Sequence, residues 1–96
     1  MALKTTIFDP AEYLDTEEEV IAFLDASMDG GDAQHIARAL GIVARSKGMT
    51  EIARKTGVGR QALYAALSEN GNPTLETLTA VLGAMGLRLS VARDAA

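Results

Sequence analysis

The spacing of apolar and polar positions divides the chain into five helical stretches separated by short breaks. From Thr16 onward, Val20, Ile21, Leu24 and Met28 share one helical face. Thr16 is placed to cap, and Glu17 to Glu19 sit at the positive helix end. "DGGD", Asp29 to Asp32, breaks that pattern, and Asp32 can cap a second helix that runs to about Lys47. Its inward residues are Ile36, Leu40, Val43 and Ala44, with Arg45 and Lys47 at the negative end and Gly48 as the stop. Two shorter helices are expected near residues 50–56 and 60–67, meeting across "TGVG". "SENGNP" then forms a loop, in which Asn70-Gly71 supplies a tight turn and Pro73 forbids a continuing helix. Thr74 can cap a last helix with Leu75, Leu78, Leu82 and Met85 toward the core. Gly83 inside that helix costs about 1 kcal/mol relative to Ala, so packing must hold it. Gly86 ends it, and "LRLSV" (Leu87 to Val91) alternates as a short half-buried β-strand does. Residues 1–15 carry isolated apolar residues and Pro10 without a helical repeat, and they read as an extended arm. The expected fold is all-α: one domain over residues 16–96 with five helices and a short C-terminal β-strand.

The two short helices, "MTEIARKTGVGRQALYAALSENG", fit the spacing of a helix-turn-helix unit over about residues 50–67. Ala53 lets the helices approach, Gly57 gives the turn its backbone freedom, and Ile52, Val58, Leu63 and Ala66 form the apolar seam. That assignment leaves Arg60, Gln61, Tyr64, Ala65 and Ser68 on the outer face of the second helix. In such units the start of this helix enters the DNA major groove. Arg pairs bidentately with guanine O6 and N7, and Gln with adenine N6 and N7. Tyr64 and Ser68, one and two turns on, reach toward a base edge or a phosphate. The alternative is an ordinary pair of surface helices.

Composition narrows the chemistry. At 96 residues the chain makes one small domain, and without Trp its core must come from Ala, Leu, Ile, Val and Met. With no cysteine there is no disulfide, thiolate metal site or cysteine nucleophile. No apolar run approaches the roughly 20 residues of a membrane span, and a cytoplasmic location is expected. His35 stands alone, so no metal or cofactor site is expected. Glu17 to Glu19 are consecutive and point around a helix start rather than converging as an acid–base pair. "GVG" and "GNP" lack the Lys-Ser/Thr of a phosphate loop. The expectation is a protein that is not an enzyme. The net charge of −4 is uneven. Residues 1–32 hold nine acids against Lys4, a net −8, whereas residues 33–96 hold eight bases against four acids, a net +4. Two different kinds of partner would suit two such halves.

The stretch "MTEIARKTGVGRQALYAALSENGNPTLETLTAVLGAMGL" resembles the Xre/Cro-type helix-turn-helix of HigA-like addiction-module antidotes. "FDPAEYLDTEEEVIAFLDASMDGGDAQHIARALGIVARSKGM" is similar to the N-terminal segment of that subfamily. The resemblance implies an antitoxin that binds a RelE/ParE-type toxin and represses its own operon as a homodimer. Carried onto this chain, it places DNA contacts at Thr50, at Arg60, Gln61, Tyr64 and Ser68, and at Asn70 in the following loop. One departure is Gly59, where the family usually has Ser or Thr before the recognition helix. For the toxin, residues 1–28 are expected to carry most of the contact, with Ile7, Phe8, Tyr13 and Leu14 as apolar anchors and the acids as steering charges. A stand-alone transcriptional repressor and a protein-only interaction module without DNA binding are the alternatives.

Overall fold

The computed structural model describes residues 14–68 and 70–94. Five helices follow one another: α1 (Glu17–Met28), α2 (Ala33–Lys47), α3 (Met49–Thr56), α4 (Arg60–Ala66) and α5 (Leu75–Ala84). Three of them start where a side chain satisfies amides that the helix cannot. Thr16 Oγ1 accepts from the Glu19 N–H at 3.1 Å, while Glu19 Oε1 accepts from the Thr16 and Asp15 N–H groups at 3.0 and 2.9 Å. This is a reciprocal capping box. Asp32 Oδ1 accepts from Gln34 N–H at 3.0 Å to open α2, and Thr74 Oγ1 accepts from Thr77 N–H at 3.1 Å to open α5.

Helix α2 lies at the centre. Its Ala37, Leu40, Val43 and Ala44 have no exposed surface. Around them pack Val20 and Leu24 of α1, Met49 and Ile52 of α3, Leu63 of α4, then Leu67, and Val81 and Leu82 of α5. Helix α1 touches α2, and α3 touches α2, α4 and α5. The one buried polar residue among those described, Ser27, donates its hydroxyl to the Phe23 carbonyl at 2.8 Å, so burial leaves no unpaired group. The crossing of α2 with the end of α4 depends on Gly41. An ideal Cβ there would lie 2.4 Å from the Leu67 carbonyl oxygen, so only a residue without a side chain allows this approach.

Several positions depart from the pattern read along the chain. Leu87 to Val91 form no strand, and the described residues contain none. A strand needs a neighbour to pair with. Here the Leu87 N–H instead bonds the Leu82 carbonyl at 2.8 Å and closes the end of α5. Leu87 and Leu89 still pack against the core, while Val91 is 97% exposed. Leu75, expected inward, is 68% exposed. The buried stripe of α5 centres on Leu78 and Met85, flanked by Val81 and Leu82. At about 100° per residue, Leu75 lies roughly 70° from that centre, in the first turn. Ile21 is offset in the same way from the Val20, Leu24 and Ser27 face of α1 and is 47% exposed. Leu14, expected in the arm, is 6% exposed and belongs to the core. Among the described residues no helix is long and apolar enough to cross a membrane.

Candidate nucleic-acid interface

The α3–α4 pair is joined by three residues, 57–59. Gly57 takes the left-handed conformation, with φ of 78°, and its N–H closes α3 on the Ala53 carbonyl at 2.9 Å. Thr56 Oγ1 donates to the same carbonyl at 3.3 Å and accepts from the Val58 N–H at 3.2 Å, which fixes the turn. Half-buried Val58 and Ala53 pack with Ile52 and Leu63 in the core cluster, and Ala66 is half-buried. This matches the apolar seam expected from the spacing.

Helix α4 is anchored by Leu63, with no exposed surface, and by Leu67 just beyond its end, at 2%. Arg60, Gln61, Tyr64, Ala65 and Ser68 are all exposed. At about 100° per residue, the polar four fall within an arc of roughly 100° that is centred about 90° from the two leucines. The guanidinium carbon of Arg60 lies 5.6 Å from the centroid of the Tyr64 ring, one turn ahead. Such a contact is worth about 0.5–1 kcal/mol at an exposed site and lays the guanidinium along the helix face. Their four-residue separation is the signal for this contact, which reading the two residues singly misses. The Ser68 hydroxyl donates to the Ala65 carbonyl at 2.9 Å, so the oxygen it turns outward is an acceptor. Gly59 caps α4 in an extended conformation without a side-chain hydrogen bond.

Thr50, the second residue of α3, and Asn70, in the loop after α4, are both exposed. Beside Thr50, Glu51 and Arg54 form an ion pair one turn apart on the surface of α3. The hydrogen bond from Arg54 holds the Glu51 carboxyl below the usual carboxylate range and holds the guanidinium more firmly protonated. Part of the Arg54 charge is thereby compensated within the chain. The i, i+3 spacing of this pair was readable in the sequence.

Of the four residues expected to anchor a toxin, Ile7, Phe8 and Tyr13 lie outside the described residues. Leu14, 6% exposed, lies in the core and ties the entry of α1 to the domain. Among the described residues no group of three or more His, Cys, Asp or Glu side chains could hold a metal ion.

The described residues form a domain of five helices, in which α4 turns Arg60, Gln61 and Tyr64 to solvent. Residues 4–93 match a family described as probable addiction module antidote protein, and the chain belongs to that family. An antidote implies a toxin as its partner. The chain is also similar to an uncharacterised protein of Haemophilus influenzae, 42% identical over 84 residues, which covers 88% of this chain and 87% of that one. No solved structure matches it.

Proposed function

We propose that the chain is the antitoxin of a type II toxin–antitoxin module, with two partners. It neutralises a RelE/ParE-type toxin by direct binding, and it represses its own operon as a homodimer through α3 and α4. In this reading α4 is the recognition helix of a HigA-like, Xre/Cro-type helix-turn-helix. It catalyses no reaction and works in the cytoplasm.

The observation that carries the DNA half is the division of α4. Leu63 and Leu67 hold it in the core, and every polar side chain it has faces outward. A surface helix needs no such grouping of Arg, Gln and Tyr for its stability, whereas these side chains suit base edges. Thr50 at the start of α3 and Asn70 after α4 are exposed, and polar side chains of this kind are suited to phosphate contacts. Family membership carries the toxin half. The acidic front of the chain, net −8 over residues 1–32, suits a basic toxin and would steer the encounter.

Arg60→Ala with Gln61→Ala tests the DNA half, because both side chains are exposed and their loss leaves the core intact. One good bidentate pair contributes about 1–3 kcal/mol of discrimination, felt at both half-sites of a dimer, so operator affinity falls by orders of magnitude. Toxin pull-down stays at the wild-type level. A double variant that shifts the operator fragment as the wild type does would leave the protein-only interaction module as the better account. Repression by a wild-type chain that captures no toxin would favour the stand-alone repressor.

A further inference from the structure

Helix α2 meets the end of α4 at Gly41, and one charged side chain of α2 stands at that crossing. Arg45 lies four residues on from Gly41, on the same face of α2. Its Nη1 is 3.2 Å from the point where a Cβ on Gly41 would stand, and the Leu67 carbonyl oxygen is 2.4 Å from that same point. The guanidinium therefore shares one small notch with the carbonyl just past α4, next to the exposed Ser68. Arg45 is itself exposed, and among the described residues no carboxylate pairs with it. Other cations nearby are committed elsewhere. Arg54 is held by Glu51, and Lys55 donates to the Ala84 carbonyl at 3.5 Å. Lys47 borders hollows that it shares with Glu51 and Glu17, against the end of α5.

We infer that Arg45 is a phosphate contact of the DNA-bound protein, fixing the end of α4 against the backbone while Arg60 and Gln61 read bases. A phosphate that comes up to the end of α4 meets carbonyl oxygens, the negative end of the helix. Ser68 does not relieve this. Its hydroxyl proton goes to the Ala65 carbonyl at 2.9 Å, so the lone pairs it turns outward repel another acceptor. Arg45 sets a full positive charge and a planar fork of donors at that place. Gly41 keeps the notch open for it, since a side chain there would fill the space. Contacts of this kind fix register on the duplex without reading its sequence. The inference rests on the reading of α4 as a recognition helix and adds to it a residue from outside the helix-turn-helix. A cation in the last turn of α2 also offsets the dipole of that helix, a role that needs no DNA, and salt dependence tells the two apart.

The probe is a duplex of the DNA upstream of this chain's own reading frame, beside a shuffled duplex of equal length. Fluorescence anisotropy gives the affinity of the full chain for each from about 50 to 200 mM salt. Each phosphate neutralised contributes about 0.9 to the slope of log K against log salt. Arg45→Gln should lower the slope by about that much per half-site, and so by about two for a dimer. It should weaken both duplexes by the same factor, leaving their ratio at the wild-type value and the thermal melt within about 3 °C of it. Arg45→Lys keeps the charge and should keep the slope. A wild type that binds neither duplex would remove the DNA reading and Arg45's part in it together. Wild-type binding whose salt slope survives Arg45→Gln would overturn the Arg45 assignment alone. A loss confined to the upstream duplex would make Arg45 a reader of bases and overturn it too. If Arg45→Lys weakened binding as much as Arg45→Gln, the residue would be structural and the phosphate contact would be wrong.

Discussion

Replacing Gly41 by Ala should destabilise the protein even though Ala is the better helix former. In a helix interior the exchange by itself stabilises by about 1 kcal/mol. At Gly41 the new Cβ would stand 2.4 Å from the Leu67 carbonyl oxygen and 3.2 Å from Arg45 Nη1. The guanidinium lies at the end of a flexible side chain and can swing away. The carbonyl cannot, because it belongs to the backbone at the end of α4. Restoring an ordinary van der Waals separation takes a displacement of about 1 Å between α2 and α4, and overpacking of this kind costs about 1–3 kcal/mol. The net effect is a loss of about 1 kcal/mol. Gly83 provides the matched control. It is exposed, it lies in α5, and a Cβ there would meet nothing within 4 Å. Gly83→Ala should therefore stabilise by about 0.5–1 kcal/mol, less than the full propensity difference because α5 ends one residue later. For a domain of this size, 1 kcal/mol shifts Tm by about 4–8 °C, so the two variants should melt about 10 °C apart. Thermal unfolding followed by far-ultraviolet circular dichroism measures it directly. If Gly41→Ala raised Tm as much as Gly83→Ala does, the close approach of α2 to α4 would be wrong.

Other perturbations read different parts of the molecule. Thr16→Ala removes the acceptor for the Glu19 amide and should cost about 1 kcal/mol in denaturant unfolding, with α1 fraying in hydrogen exchange. Leu63→Ala empties a fully buried site and should cost about 2–5 kcal/mol, whereas Leu75→Ala, at a 68% exposed position, should stay within about 0.5 kcal/mol. Glu51 has its folded-state carboxyl held low by Arg54, so its contribution is present at neutral pH and is lost as pH falls below the ordinary value of 4.5 through the folded one. Glu51→Gln should remove that acid-side slope from the stability curve, and high salt should blunt the wild-type slope in the same way.

The helix boundaries were legible because their signals are local. Thr16, Asp32 and Thr74 cap within three residues of themselves, and Gly57 needs only its own φ. The outer face of α4 was legible for a related reason, since seven residues and the Leu67 that follows them have few ways to turn two leucines inward. What the chain could not announce depends on neighbours. Val81 and Met49 enter the core according to where α3 and α5 happen to cross, and no periodicity states a crossing. Leu87 to Val91 carry the alternation of a strand, but pairing is a property of two segments, and among the described residues none pairs with them. Leu14 looks like an isolated apolar residue until α1 and its neighbours give it a floor.

The brevity of α4 bears on how the protein moves. A helix of seven residues, without a side-chain cap, is far below the roughly 12–15 residues at which helices become marginal in isolation. Its persistence comes from Leu63 and Leu67, so it opens whenever those two side chains leave the core together. Such an excursion costs less than unfolding the domain, because α2 retains its own buried row of Ala37, Leu40, Val43 and Ala44. Amides of α4 should exchange with solvent through this partial opening while those of α2 wait for the whole domain. A partner seated on Arg60, Gln61 and Tyr64 would bind only the closed form, and by mass action would slow the exchange of α4 beyond that of the free chain.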